Sequence, residues 1–193
     1  MKKRFAYLHI GTTKTGSTSI QESLDINRHF LKSRKIALAP NKIRKGNSDY
    51  LLALAHREIN EYSNLKQLKL LNIKNKNEKS KFDIDLKKNY QNFINNQSNM
   101  NFIFTDEFFF SSNFKDKYCI KKVVNFLNDL DLNCRIIVYL RNQTEWILSD
   151  YIQNIKGGGT KDLNEYISQV TGLNSSYDLY NLICNLQNIN AEL

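Results

Sequence analysis

Gly11-Thr12-Thr13-Lys14-Thr15-Gly16-Ser17-Thr18 is the stretch whose reading decides the fold. Before it, Phe5-Ala6-Tyr7-Leu8-His9-Ile10 is a short apolar run with the length and composition of a buried strand. After it, Ser17 to Leu31 places Ile20, Leu24 and Leu31 on one face of a predicted helix. Ile36 to Ala39 then reads as a short strand ended by Pro40, the one proline of the chain. Strand, polar loop, helix, strand is a βαβ opening, and it points to a parallel sheet.

The same alternation continues toward the C-terminus. Asp49 to Tyr62 has a helical pattern, and Leu65 to Ile73 extends it. Asn72 to Lys81 is rich in Lys and Asn and reads as an exposed loop. Asp83 to Asn96 is helical again, and Asn101 to Thr105 is the next strand. Ile120, Val123, Val124, Leu127 and Leu130 make Asp116 to Leu130 an amphipathic helix. Cys134 to Leu140 is the most strand-like run, apolar and β-branched. Gln143 to Ile155 is helical and stops at Gly157-Gly158-Gly159. Leu163 to Val170 and Tyr177 to Leu186 read as two further helices. The expected class is α/β, with a parallel sheet covered on both faces.

Composition narrows the function classes. A chain of 193 residues with 41% hydrophobic and 11% aromatic content can bury one core, which excludes a wholly disordered chain. The net charge of +9 fits attraction to an anionic ligand, and it also fits a Lys- and Asn-rich compositional bias. Basic and aromatic residues do not interleave regularly, so no nucleic-acid role is expected. Cys119, Cys134 and Cys184 form no CxxC pair, which points to a reduced compartment and no zinc site. The run after Met1-Lys2-Lys3-Arg4 is too short for a signal segment, and no stretch approaches the roughly 20 apolar residues of a membrane span. A soluble cytoplasmic protein is expected.

The loop carries the chemistry. Its two glycines have the spacing of G-x-x-x-x-G-K-[ST], but Ser17 stands where that pattern has lysine. A lysine sits instead at the loop crest, Lys14. Loop amides and a helix N-terminus favour an anion in either case. A kinase or NTPase needs its lysine on the β- and γ-phosphates and a hydroxyl on magnesium. A crest lysine can reach the bridging oxygen of a shorter donor, where charge grows as the bond breaks. The plain structural alternative is a strand-to-helix turn that uses Gly, Thr and Ser as caps.

His9-Ile10-Gly11-Thr12-Thr13-Lys14-Thr15-Gly16-Ser17-Thr18-Ser19-Ile20-Gln21 resembles the 5′-phosphosulfate loop of PAPS-dependent sulfotransferases, particularly the bacterial and carbohydrate-type branch. That family shows K-T-G-T-T-S with a following Gln; Ser17 replaces one Thr here and keeps the hydroxyl. The similarity runs on through Asn27-Arg28 and the short strand near Pro40. Tyr139-Leu140-Arg141-Asn142-Gln143-Thr144-Glu145-Trp146-Ile147-Leu148-Ser149-Asp150-Tyr151 resembles the family's 3′-phosphate motif, in which an Arg at a strand end is followed eight residues later by a Ser. Arg141 and Ser149 have that spacing. An isolated Arg141 would instead pair with Glu145 or Asp150. Phe104-Thr105-Asp106-Glu107 stands where the glycan-type branch has a Ser-Ser-Glu-like segment carrying the catalytic base.

The resemblance implies a three-layer α/β/α fold with a central parallel sheet, similar to P-loop NTPases. It implies transfer of a sulfuryl group from PAPS to a hydroxyl or amine, with a glycan as the foremost acceptor. Gly11, Thr13, Lys14, Thr15, Gly16, Ser17, Thr18 and Ser19 would hold the 5′-phosphosulfate. Arg141 and Ser149 would hold the 3′-phosphate. Lys14 and Glu107 would be catalytic, with Asp106 the competing carboxylate and a helix-terminal acid the alternative reading of Glu107. PAP would be the product, and no metal is implied. Of the histidines, His9 reads as a core residue, and His29 and His56 as surface residues. Family members are longer, so residues 1–193 read as a single domain incomplete at its C-terminus, with Lys42 to Asn99 shaping the acceptor pocket. A P-loop kinase or NTPase, and a catalytically silent binding module, stay open beside the sulfotransferase.

Overall fold

The computed structural model describes residues 4–40, 51, 53–54, 71–97, 100–110, 118–171, 175, 177–187 and 189. Strand β1 (Phe5–His9) is followed by α1 (Ser17–Ile26), α2 (Arg28–Ser33) and β2 (Ile36–Leu38). Then come α3 (Lys76–Asn95), β3 (Asn101–Thr105), α4 (Cys119–Asn128) and β4 (Asn133–Ile137). Three helices close the described chain: α5 (Gln143–Lys156), α6 (Leu163–Val170) and α7 (Leu179–Gln187). The expected helices Asp49–Tyr62 and Leu65–Ile73 lie mostly outside the described residues.

The four strands form one sheet in the order β2-β3-β1-β4, and every pairing is parallel. The α/β class with a parallel sheet is therefore as the sequence indicated. After β1 the chain crosses outward to β2; after β3 it crosses the other way, past β1, to β4. Right-handed crossovers send these two connections to opposite faces. Neighbouring strands whose connections leave to opposite faces open a crevice beyond their carboxyl ends, which is where open α/β sheets bind ligands.

Register explains the core. Ala6, Phe102 and Cys134 lie side by side, as do Leu8, Phe104 and Ile136, and all six are buried. Helix α3 covers this face, with the Tyr90 ring 5.8 Å from Phe104 and Phe93 5.7 Å from Phe102. Phe126 of α4 meets Tyr90 at 5.9 Å. Each such side chain contributes roughly 1.5–3 kcal/mol when withdrawn from water. The opposite face is less covered. Phe5, Tyr7, Ile103 and Arg135 are half-buried there, with the Arg135 guanidinium 4.1 Å above the Phe5 ring. Near the carboxyl ends that face closes over, and His9 and Thr105 are buried.

Three local departures have clear causes. The helix expected over Ser17–Leu31 breaks at Asn27, whose side-chain and backbone N–H groups both donate to the Ser23 carbonyl. The Lys- and Asn-rich stretch Asn72–Lys81, expected as an exposed loop, is helical from Lys76 onward. There Asn75 accepts the Glu78 N–H as an N-cap, and Lys79 is buried against Asp83 at 2.5 Å. The best predicted strand ends at Ile137 instead of Leu140; beyond it Tyr139 exchanges backbone hydrogen bonds with Gly11 and Thr12 outside the regular ladder. No described helix is long and apolar enough to cross a membrane.

Candidate anion-binding site at the carboxyl edge of the sheet

The segment after β1 is bound to the segment after β4. Thr12 N–H donates to the Tyr139 carbonyl at 3.1 Å, and Tyr139 N–H donates to the Gly11 carbonyl at 2.8 Å. Gly11 has φ +99°, and a Cβ there would stand 3.1 Å from both Cα and the carbonyl oxygen of Glu107. Only glycine lets β1 run so close to the residue after β3. Lys14 at the crest has φ +63° and Gly16 has φ +81°. Thr15 Oγ1 closes the turn by donating to the Thr12 carbonyl at 2.6 Å.

Helix α1 starts at Ser17 with Gly16 as its N-cap, and its first turn carries no acidic residue. By contrast α3, α5 and α6 each combine a side-chain cap with a first-turn Glu. The amino end of α1 thus presents backbone N–H groups and dipole without a local anion from its own sequence.

Around this turn lies a cavity of about 530 Å³. Thr13, Lys14, Gly16, Ser17 and Thr18 line one side of it. Glu107 and Phe108 contribute from the end of β3, and Ser149, Asp150 and Gln153 from α5. Ser17, a buried residue, donates from Oγ to Glu107 Oε2. Glu107 and its neighbour Asp106 have different roles. Asp106 is fully buried, its Oδ1 accepts the Phe108 N–H at 2.9 Å, and its own N–H donates to the His9 carbonyl. Glu107 faces the cavity.

Arg141, the residue that follows the β4 extension, donates from Nη1 to the Lys14 carbonyl at 3.1 Å. Its Nε donates to Glu145 Oε2 at 3.3 Å. A guanidinium has five N–H donors, so these two bonds leave three. Asn142 caps α5 by accepting the Thr144 and Glu145 N–H groups. Trp146 anchors α5, with its ring 5.4 Å from Phe110 and 4.6 Å from Tyr177. Lys14 Nζ donates to Gln153 Oε1 at 3.2 Å.

Asp150 accepts two phenol protons on Oδ2, from Tyr177 at 2.5 Å and from Tyr166 at 2.8 Å. Burial and the Asp150 carboxylate hold both phenols above their ordinary range. His9 donates or accepts through Nδ1 with Thr105 Oγ1 at 2.7 Å, while its Nε2 has no hydrogen-bond partner among the described residues. Burial pushes the imidazole down to about 4, so the ring is neutral at pH 7.

No family model, curated protein or solved structure matches this chain.

Of the residues singled out in the sequence, Thr13, Lys14, Gly16, Ser17, Thr18, Glu107 and Ser149 share the cavity. Gly11, Thr15, Ser19 and Arg141 are not among the described lining residues. Gly11 and Thr15 shape the turn, Arg141 holds its carbonyl, and Ser19 is exposed on α1. The pairing of Arg141 with Glu145 exists alongside its bond to the loop. His9 is a core residue and His29 is exposed; His56 lies outside the described residues. Sequence reading missed Phe108, Asp150 and Gln153. Gln153 had a usable signal: it stands four residues after Ser149, hence on the same helical face.

Proposed function

We propose that this chain is a PAPS-dependent sulfotransferase that moves a sulfuryl group onto a hydroxyl or amine, with a carbohydrate or glycoconjugate as the foremost acceptor class. The observation that carries this reading is the 3.1 Å bond from Arg141 to the Lys14 carbonyl. Two segments distant in sequence, each resembling one half of a bisphosphorylated-adenosine site, meet at one edge of the sheet.

PAPS supplies the sulfuryl group and a phosphate leaving group. Lys14, the Thr18 hydroxyl and the α1 amides, that of Ser17 among them, would hold its 5′ end; Arg141 and Ser149 would hold the 3′-phosphate. Lys14 places a cation where the leaving oxygen gains charge, a role for which preorganised donors are effective. Glu107 would take the acceptor proton, and the Ser17 hydrogen bond fixes the orientation of its carboxylate. Two acids border a site for an anion, but Asp150 already accepts from Tyr166 and Tyr177, which delocalises its charge over a hydrogen-bonded group. Asp106 is buried and engaged by backbone, which disfavours it as a magnesium ligand and supports this reading over a kinase.

Incubation with sulfur-labelled PAPS and a panel of glycans, amino sugars and small alcohols tests the proposal. Label should pass to at least one acceptor, and Lys14→Ala and Glu107→Gln should each reduce that transfer by about a hundredfold or more. Failure of transfer to every acceptor, together with magnesium-dependent ATP hydrolysis, would replace it with the NTPase reading.

A further inference from the structure

We infer that Gln153 is the positioning residue for the crest lysine: its side-chain carbonyl holds the Lys14 ammonium over the cavity before any anion enters. The inference rests on the sulfotransferase reading and adds to it a residue outside both phosphate-like motifs. Lys14 is a long side chain on a turn, and free in solvent it would sample many rotamers. Its Nζ instead donates to Gln153 Oε1 at 3.2 Å, from the loop to the facing helix. Both residues line the same cavity.

The chemistry of the acceptor matters. An ammonium has three N–H donors, and one bond to an amide oxygen leaves two for an incoming phosphosulfate. A neutral amide also leaves the positive charge intact. A carboxylate at the same place would pair with it and compete with the ligand. Gln153 is exposed on the surface of α5, one turn beyond Ser149, so the side chain is free of core packing duties. The helix itself is fixed by Trp146 and by the tyrosine bonds to Asp150. The result is a cation preorganised by a rigid element instead of by the loop alone.

Competitive acetylation of the full chain, read by peptide mass spectrometry at Lys14, tests this with and without PAP. Gln153→Ala should accelerate acetylation of Lys14 by about fivefold, the loss of one hydrogen bond, and leave the melting temperature unchanged. PAP should protect Lys14 in the wild type. Gln153→Glu should weaken PAP binding by about tenfold, and Gln153→Ala should lower kcat more than it raises KM for PAPS. Unchanged Lys14 acetylation in Gln153→Ala, with PAP protection intact, overturns the role of Gln153 alone. Absence of PAP protection in the wild type removes the donor reading and this role with it.

Discussion

Nη1 of Arg141 and the carbonyl oxygen of Lys14 stand 3.1 Å apart, so the residue beyond β4 holds the crest of the turn beyond β1. Arg141→Ala should therefore do two things. It should lower stability by about 1–2 kcal/mol through the lost charge-assisted bond, seen in urea unfolding. It should also weaken PAP binding by tenfold or more. Arg141→Lys should recover little of either, because lysine lacks the fork that serves the carbonyl and a phosphate together. Full PAP affinity in both variants would show that Arg141 acts on the turn and not on a ligand.

The two loop glycines should respond differently to alanine. At Gly11 a Cβ meets Glu107 backbone at 3.1 Å, with φ at +99°. At Gly16 φ is +81° and nothing lies within 4 Å. Gly16→Ala should cost about 1–2 kcal/mol, the conformational strain alone. Gly11→Ala should cost more, since the end of β3 must also move, carrying Glu107 with it. Chemical denaturation of the two variants measures the difference, and equal losses would contradict the close approach.

His9 sets an acid limit on stability. Its imidazole is lowered to about 4 in the fold, against an ordinary value near 6.5. Below pH 6.5 the unfolded chain takes up a proton that the folded chain refuses. The stability this group contributes is thus complete above pH 6.5 and lost between pH 6.5 and 4, by up to about 3 kcal/mol. NMR titration of the ring should show no protonation above pH 5. A midpoint near 6.5 would mean the ring is open to water.

Tyr166 and Tyr177 set the alkaline limit. Both are raised above the ordinary phenol value near 10 by burial and by Asp150. The unfolded chain loses these protons from about pH 10, while the folded chain keeps them. Stability from this pair is complete below pH 10 and declines above it. Tyr177→Phe should lose about 1 kcal/mol at neutral pH and flatten the alkaline slope, as followed by thermal melts across pH 8–11. An unaltered slope in the Tyr166→Phe, Tyr177→Phe double variant would contradict the hydrogen bonds to Asp150.

Much of this was legible in the residues themselves. The boundaries of β3 and α6 agree with the sequence, and at α6 a capping box of Asp162 and Glu165 marks the amino end locally. The meeting of Lys14 and Arg141 was legible as two motifs at strand ends. What escaped was set by distant partners. Val138 to Leu140 has the composition of a strand, yet its partner is the irregular segment Gly11-Thr12 and the regular ladder stops at Ile137, a dependence that β-propensity cannot express. Lys79 read as a solvated charge because the packing that buries it, including its bond to the Leu54 carbonyl, is non-local, although Asp83 is its i+4 partner on the same helix. The engagement of Asp150 by two tyrosines from beyond α5 has no local sequence signature at all.

In the proposed sulfotransferase, the turn at 11–18 and the Arg141–Ser149 pair grip opposite ends of one nucleotide. Calorimetric titration with PAP and with adenosine 5′-phosphate, without magnesium, tests it most directly. The expected result is one PAP per chain, bound at least tenfold tighter than adenosine 5′-phosphate, with that advantage abolished in the Arg141→Ala, Ser149→Ala double variant. Equal affinity for the two nucleotides, or an advantage that survives the double variant, would contradict it.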